Sequence, residues 1–213
     1  MKASAWRSFL QQQREQHGKV LFTVTELAHV SGVSRAAVNV ELARLRRQAI
    51  LVKYAYGLYG PPGAVRVPAL VAAIDSHAYV TGHYALYMHN VVTQVPTEVT
   101  CFTDRRSPRA RQRATPLGRL VFVCVRSGVY APHAESPVAP APQALCDYVY
   151  LSRRQGVRPE ALATFRNLER IRMPELPALL ARYPRSVRQH VERLLENQSG
   201  AGGEVRDFSL RGS

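Results

Sequence analysis

A glycine set between two helix-start signals constrains this chain more than any other feature. Thr23 stands three residues before Glu26. That is the spacing of a capping box, in which the hydroxyl and the carboxylate each satisfy a free backbone N–H at a helix start. Leu27, Ala28 and Val30 give the short helix that follows an apolar side. Ser31-Gly32-Val33 then breaks it, and Ser34 is a good N-cap for a second helix over residues 34–48. There Val38, Leu42, Leu45 and Ala49 fall at i, i+4, i+7 and i+11, one stripe at helical spacing that must be buried. A helix over residues 3–17 precedes this pair, with Trp6, Phe9, Leu10 and Gln13 on one stripe and Gly18 at its end. Residues 50–60 follow it as two short β-prone runs turning around residues 55–57.

Helix, glycine-containing turn, helix and hairpin, in that order, predict a winged helix-turn-helix. With Val38, Leu42 and Leu45 buried, the helical repeat turns Arg35, Ala36, Asn39, Val40, Ala43 and Arg47 away from the core. In such a unit the N-terminal part of the second helix enters the major groove of DNA. Arg35 is then expected to pair bidentately with a guanine and Asn39 with an adenine, while small Ala36, beside Ser34, permits close approach. Arg44, Arg46 and Arg47 sit later, where phosphate contacts are expected. Lys53, Tyr54 and Tyr56 on the wing are expected to reach the backbone or the minor groove. Charge agrees with this expectation. Lys+Arg number 29 against 15 Asp+Glu, a formal net charge of +14 with a pI near 10.4, and the surplus is densest in the first sixty residues.

Pro61-Pro62-Gly63 punctuates the chain and reads as a domain boundary. Beyond it, residues 68–75 and 81–90 read as helices, and residues 95–102 and 120–126 as strands. Between the strands, residues 105–113 carry Arg105, Arg106, Arg109, Arg111 and Arg113. The stretch reads equally as a solvated loop and as a second contact for phosphate or for an acidic partner. A helix over residues 143–154 leads to helical pieces over 159–196 broken by Pro174, Pro177 and Pro184, and residues 197–213 read as a disordered tail. The expected class is α+β: a DNA-binding unit over residues 1–60, then residues 61–196. The latter form a small α/β core to about residue 155 and a helical C-terminal region.

Other chemistries find little support. Cys101, Cys124 and Cys146 are too far apart for a C-x2-C metal site and odd in number, which fits reduced core thiols in a cytoplasmic protein. No apolar run is long enough for a membrane span, and residues 1–7 lead into a Gln/Arg-rich helix, unlike the apolar core of a secretion signal. The glycines at 57, 60 and 63 lack the Lys-Ser/Thr end of a Walker motif and read as turn residues. His83 and His89 lie on different helix faces with no carboxylate at ligand spacing. Glu98 has no lysine to complete a nuclease pair, since the last lysine is Lys53. Tyr79, Tyr84 and Tyr87 read as a partly apolar helical surface turned to the core. No catalytic residue, cofactor or metal is expected.

The run 22–60, ending in Tyr56-Gly57-Leu58-Tyr59, resembles the N-terminal domain of AbiEi-type antitoxins of bacterial type IV toxin–antitoxin systems. The resemblance continues through residues 79–89 (Tyr-Val-Thr-Gly-His-Tyr-Ala-Leu-Tyr-Met-His), 95–100 and 136–147, and covers most of residues 20–195. It implies a winged-helix domain that represses its own operon through an operator of inverted repeats. It also implies a C-terminal domain that neutralises a nucleotidyltransferase-like toxin in phage defence, without requiring a stable toxin complex. The chain itself lacks the Gly-Ser and paired-Asp signature of such a toxin. The expected function is therefore a cytoplasmic, non-enzymatic DNA-binding autorepressor and antitoxin. Its rivals are a protein-interaction module whose winged helix does not bind DNA, and an enzyme with an unrecognised site in residues 61–150.

Overall fold

Helix α1 (Ala3–His17) ends where Gly18 takes a left-handed conformation and its N–H closes back on the Arg14 carbonyl. The computed structural model describes residues 1–106, 111–171 and 173–201. Strand β1 (Phe22–Thr23) leads into α2 (Val24–Ser31), whose start carries both halves of the Thr23/Glu26 capping box. Gly32, at φ 68°, supplies the left-handed residue that turns the chain from α2 towards α3 (Arg35–Arg47). Ser34 caps α3, its hydroxyl accepting from the Ala37 N–H at 3.3 Å. Strands β2 (Val52–Ala55) and β3 (Leu58–Gly60) form the hairpin, and β1 pairs with β3 to complete a three-stranded antiparallel sheet in the order β1-β3-β2. A Cβ at Gly60 would collide with the Val20 carbonyl, so only glycine closes this strand against the α1–β1 connection.

The Val38/Leu42/Leu45 stripe is buried against Trp6, Leu10, Phe22 and Leu27. Ala49 departs from the predicted stripe. The helix ends at Arg47, Ala49 is exposed at φ 52°, and Ile50 takes the buried place, its N–H bonding the Leu45 carbonyl at 2.9 Å. Val30, expected on the apolar side of α2, is 39% exposed, because the helix buries only Val24 and Leu27.

Past Pro61-Pro62-Gly63 come α4 (Val67–Ile74), β4 (Tyr79–Thr81), α5 (Gly82–Met88), β5 (Glu98–Thr103), β6 (Gln112–Thr115) and β7 (Gly118–Cys124). The four strands make a mixed sheet in the order β4-β5-β7-β6, in which only β5 and β7 run parallel. Helix α6 (Ala141–Arg154) lies against α5 and α8 (Arg185–Ala201), with short α7 (Leu176–Leu180) between. Strands β4 and β5 are buried on both faces, whereas β6 at the opposite edge is not. Tyr79 and Phe102 face the core built with α6 and α8, whereas Val80, Cys101, Leu120 and Phe122 join a cluster with Tyr54 and Val65. That second cluster spans the Pro61-Pro62-Gly63 punctuation.

The architecture is α+β, as expected, with differences that follow from strand pairing. Tyr79 is on strand β4, buried, and not on a helical surface; α5 starts only at Gly82. The arginine-rich stretch is not wholly a loop, since β6 begins inside it at Gln112. Residues 107–110 of that stretch lie outside the described residues. Helix α8 continues to Ala201, into the stretch expected to be disordered, and residues 202–213 also lie outside the described ones. Cys101 and Cys146 are core thiols, but Cys124 is only half-buried. Among the described residues no helix is long and apolar enough to cross a membrane.

Leu45 is fully buried at the contact between α3 and the rest of the first core. Leu45→Ala is expected to destabilise the protein by about 2–5 kcal/mol in urea titration, with exposed Arg47→Ala close to neutral.

Candidate nucleic-acid interface

Burial of one stripe fixes the rotation of α3 about its axis. Arg35, Ala36, Asn39, Val40, Ala43, Arg46 and Arg47 are all exposed. Ala36, Val40, Ala43 and Arg47 form the row opposite the buried stripe, and Arg35, Asn39 and Arg46 form its flank. Ser34 is exposed as the cap, and its i, i+4 spacing to Val38 puts it in line with the buried stripe and not on this row. Arg46 and Arg47 reach a groove of ≈ 580 Å³ that they share with Ala43, Leu51, Val52, Lys53 and Pro116. Lys53 is exposed, and its ammonium lies 5.7 Å from the ring centroid of Tyr56, which stands 85% exposed at the hairpin turn.

Two residues predicted for this surface are engaged elsewhere. Arg44 donates to both oxygens of Glu41, at 3.0 Å through Nε and 2.7 Å through Nη2, and its Nη2 also reaches the Met1 carbonyl at 3.2 Å. The Arg44 hydrogen bonds hold the Glu41 carboxyl below the usual range, against the opposing effect of its burial. Glu41 further accepts from Trp6 Nε1 at 2.9 Å, so Arg44 helps fasten α1 to α3 and does not stand ready for a phosphate. Tyr54 points inward. It is 2% exposed and its hydroxyl donates to the Pro61 carbonyl at 2.9 Å, because strand alternation puts it on the face opposite Lys53.

The described arginines of residues 105–113 stand in different surroundings. Arg105 turns towards His77 and bonds its Nε2, while His77 Nδ1 lies 3.0 Å from Asp104 Oδ1. Arg106 is exposed, and Arg109 lies outside the described residues. Arg111 is exposed, and its carbonyl accepts from the Phe122 N–H at 2.7 Å. The Arg113 guanidinium lies over the Phe122 ring, 5.2 Å from its centroid. Since Arg113 pairs with Leu120 across the strands, its side chain leaves the sheet on the face turned towards the first sixty residues.

Elsewhere, Glu98 pairs with Arg119 at 3.0 Å, and His89 Nε2 lies 2.9 Å from the Ala139 carbonyl. Among the described residues no His, Cys, Asp and Glu side chains gather into a group able to hold a metal ion. One polar constellation has no counterpart in the sequence reading. Asp147 on α6 is fully buried, and three hydroxyls converge on its carboxyl: Thr81 at 2.7 Å and Tyr79 at 3.3 Å from β4, and Tyr183 at 2.7 Å from the joint before α8. None of these partners is a cation. Burial pushes the Asp147 carboxyl from 3.8 up to about 7, with the hydrogen bonds from Thr81, Tyr183, Tyr79 and Gln143 working the other way. The same burial, together with Asp147 itself, raises the Tyr79 and Tyr183 hydroxyls. The nearest sequence signal is an acid inside an apolar helical run, Ala144-Leu145-Cys146-Asp147-Tyr148-Val149.

A comparison with protein-family models gives no match, and a comparison with curated proteins gives none either.

The raised Asp147 value makes stability depend on pH. Between about pH 4 and pH 7 the unfolded chain has given up this proton while the folded chain retains it, so the contribution of the group to stability falls as pH rises. Asp147→Asn removes that titration. The stability of the wild type relative to Asp147→Asn, from urea titrations at several pH values, is expected to decline steadily across this window. A constant difference would contradict the assignment.

Proposed function

We propose that this chain is a sequence-specific DNA-binding autorepressor of the AbiEi antitoxin type, acting through an N-terminal winged helix-turn-helix and without catalytic chemistry of its own. The observation that carries the reading is the exposed face of α3. Its rotation is set by the Val38/Leu42/Leu45 stripe, and it presents Arg35 and Asn39 near the helix start and Arg46 and Arg47 near its end. The one acid of the helix, Glu41, lies on the other flank and is neutralised by Arg44.

With the N-terminal half of α3 in the major groove, Arg35 matches the paired acceptors of a guanine and Asn39 the donor–acceptor edge of an adenine. Arg46, Arg47 and Lys53, around one groove, suit phosphates, which position the protein without reading sequence. The β2–β3 hairpin is the wing in this reading, with Lys53 and Tyr56 as its outward side chains. Occupancy of a promoter by this unit would exclude polymerase. Residues 61–196 would carry the antitoxin role against a nucleotidyltransferase-like toxin, as the resemblance implies.

The test is a gel shift or anisotropy titration with a duplex spanning the promoter of the chain's own operon. Arg35→Ala and Asn39→Ala are each expected to weaken binding by about 1–3 kcal/mol, the worth of a bidentate base contact. Wild-type affinity in both variants would overturn the base-reading assignment.

Arg111 and Arg113 lie on the margin of the second sheet that approaches β2, which suits further phosphate contacts on the same duplex. Replacing both with alanine is expected to weaken binding evenly across sequences. It should also lower the slope of log K against log salt by about 0.9 for each phosphate no longer neutralised. An unchanged slope would remove β6 from the interface.

A further inference from the structure

Helix α3 has a second apolar row that the fold does not use. Val38, Leu42 and Leu45 account for its buried side. Directly opposite, Ala36, Val40 and Ala43 recur at i, i+4 and i+7, all exposed, with Val40 72% exposed. A single exposed aliphatic side chain is ordinary. A β-branched residue at the centre of a solvent-facing helix row, between two alanines, has neither burial nor helix propensity to recommend it.

The surroundings of the row identify its occupant. Arg35, Asn39 and Arg46 run along one flank, and Arg47 and Lys53 stand at its end around the groove that Ala43 also lines. No carboxylate stands on the face, so the charge is complementary to a polyanion and not to a second copy of this basic chain. Along the centre line of a helix lying in a major groove, the side chains meet the base edges, and only one base presents an apolar group there: thymine, through its C5 methyl.

We propose that Val40, with Ala36 clearing space beside it, is a specificity-determining residue that packs on the C5 methyl of a thymine. This rests on the DNA-binding reading of α3 and adds a third base preference to those of Arg35 and Asn39. Val40 and Ala36 lie one helical turn apart on one row, beside the flank that carries Arg35 and Asn39. Val40 belongs to none of the hydrophobic clusters of the described residues, so shortening its side chain leaves that core intact.

The experiment begins with full-length protein and a randomised duplex pool, from which bound duplexes are enriched and sequenced. In an enriched duplex each thymine is then replaced singly by deoxyuridine, which removes the C5 methyl and nothing else. At one or more positions the swap is expected to weaken wild-type binding about fourfold, the effect of exposing one buried methyl group. Val40→Ala is expected to bind the thymine and deoxyuridine duplexes equally at that position. Arg35→Ala and Asn39→Ala are expected to bind more weakly overall and still to distinguish them, as independent contacts do in a double-mutant cycle. Wild-type indifference to deoxyuridine throughout an enriched duplex would overturn the proposal and leave the DNA reading standing. So would persistence of the discrimination in Val40→Ala. A dimer seen by sedimentation without DNA and dissolved by Val40→Glu would assign the row to a second copy and overturn it as well. Failure of the pool to enrich for any sequence would overturn the DNA reading and this proposal together.

Discussion

An α-helix advances about 100° per residue, so the side chains that it buries decide which ones it presents. In α3 that decision is made by Val38, Leu42 and Leu45, which pack on Trp6, Leu10, Phe22 and Leu27. The Trp6 Nε1–Glu41 hydrogen bond and the Glu41–Arg44 pair hold α1 beside the same helix from the other flank. Rotation by a single residue would bury Asn39 and expose Val38. The outward face of α3 is therefore set by an apolar contact made on its opposite side.

The second half is organised around a polar group. Asp147 draws Thr81 and Tyr79 of β4 and Tyr183, from the joint before α8, onto one side chain of α6. A buried carboxyl is costly unless it is satisfied or neutral, and here hydroxyl donors and a raised ionisation point meet both needs. The arrangement fixes the edge of the sheet, the central helix and the C-terminal region relative to one another. Directional hydrogen bonds do this more selectively than apolar contacts, which tolerate sliding.

What is legible in the sequence is local. The Thr23/Glu26 box, the Ser34 cap and the left-handed turns at Gly18 and Gly32 act within a few residues of themselves, and each stands where its spacing predicts. The α3 stripe is legible because 3.6-residue periodicity survives over three turns. The departures have different causes. Tyr54 reads as a neighbour of Lys53 on the outer surface, although adjacent strand residues face opposite ways. The Glu41–Arg44 spacing, i to i+3, is itself the signal of a pair on one helix face, and it outweighs the expectation of a phosphate contact for Arg44. Strand β4 is three residues long and owes its existence to Thr100, Cys101 and Phe102, some twenty residues away in sequence. Strand β6 is polar and among the described strands pairs only with β7, so no alternation announces it. The Asp147 cluster draws on residues from 79 to 183, a distance over which pattern carries no signal.

Tyr54 has a further consequence because of the company it keeps. It lies before the Pro61-Pro62-Gly63 punctuation, yet it packs with Val65, Leu70, Val80, Leu120 and Phe122, and Val20, Leu21, Val52 and Leu58 press on the same cluster. The punctuation bends the chain without parting its interior. Cutting the polypeptide there would strip the hairpin of its apolar backing and leave a fragment with an oily, aggregation-prone flank. Heat or urea that opened this cluster would expose apolar side chains from both sides of the seam, where the residue order suggests two beads on a string. The hairpin that carries Tyr56 at its tip has its apolar backing in residues of the second half, so loss of that half would leave Tyr54 and Leu58 uncovered.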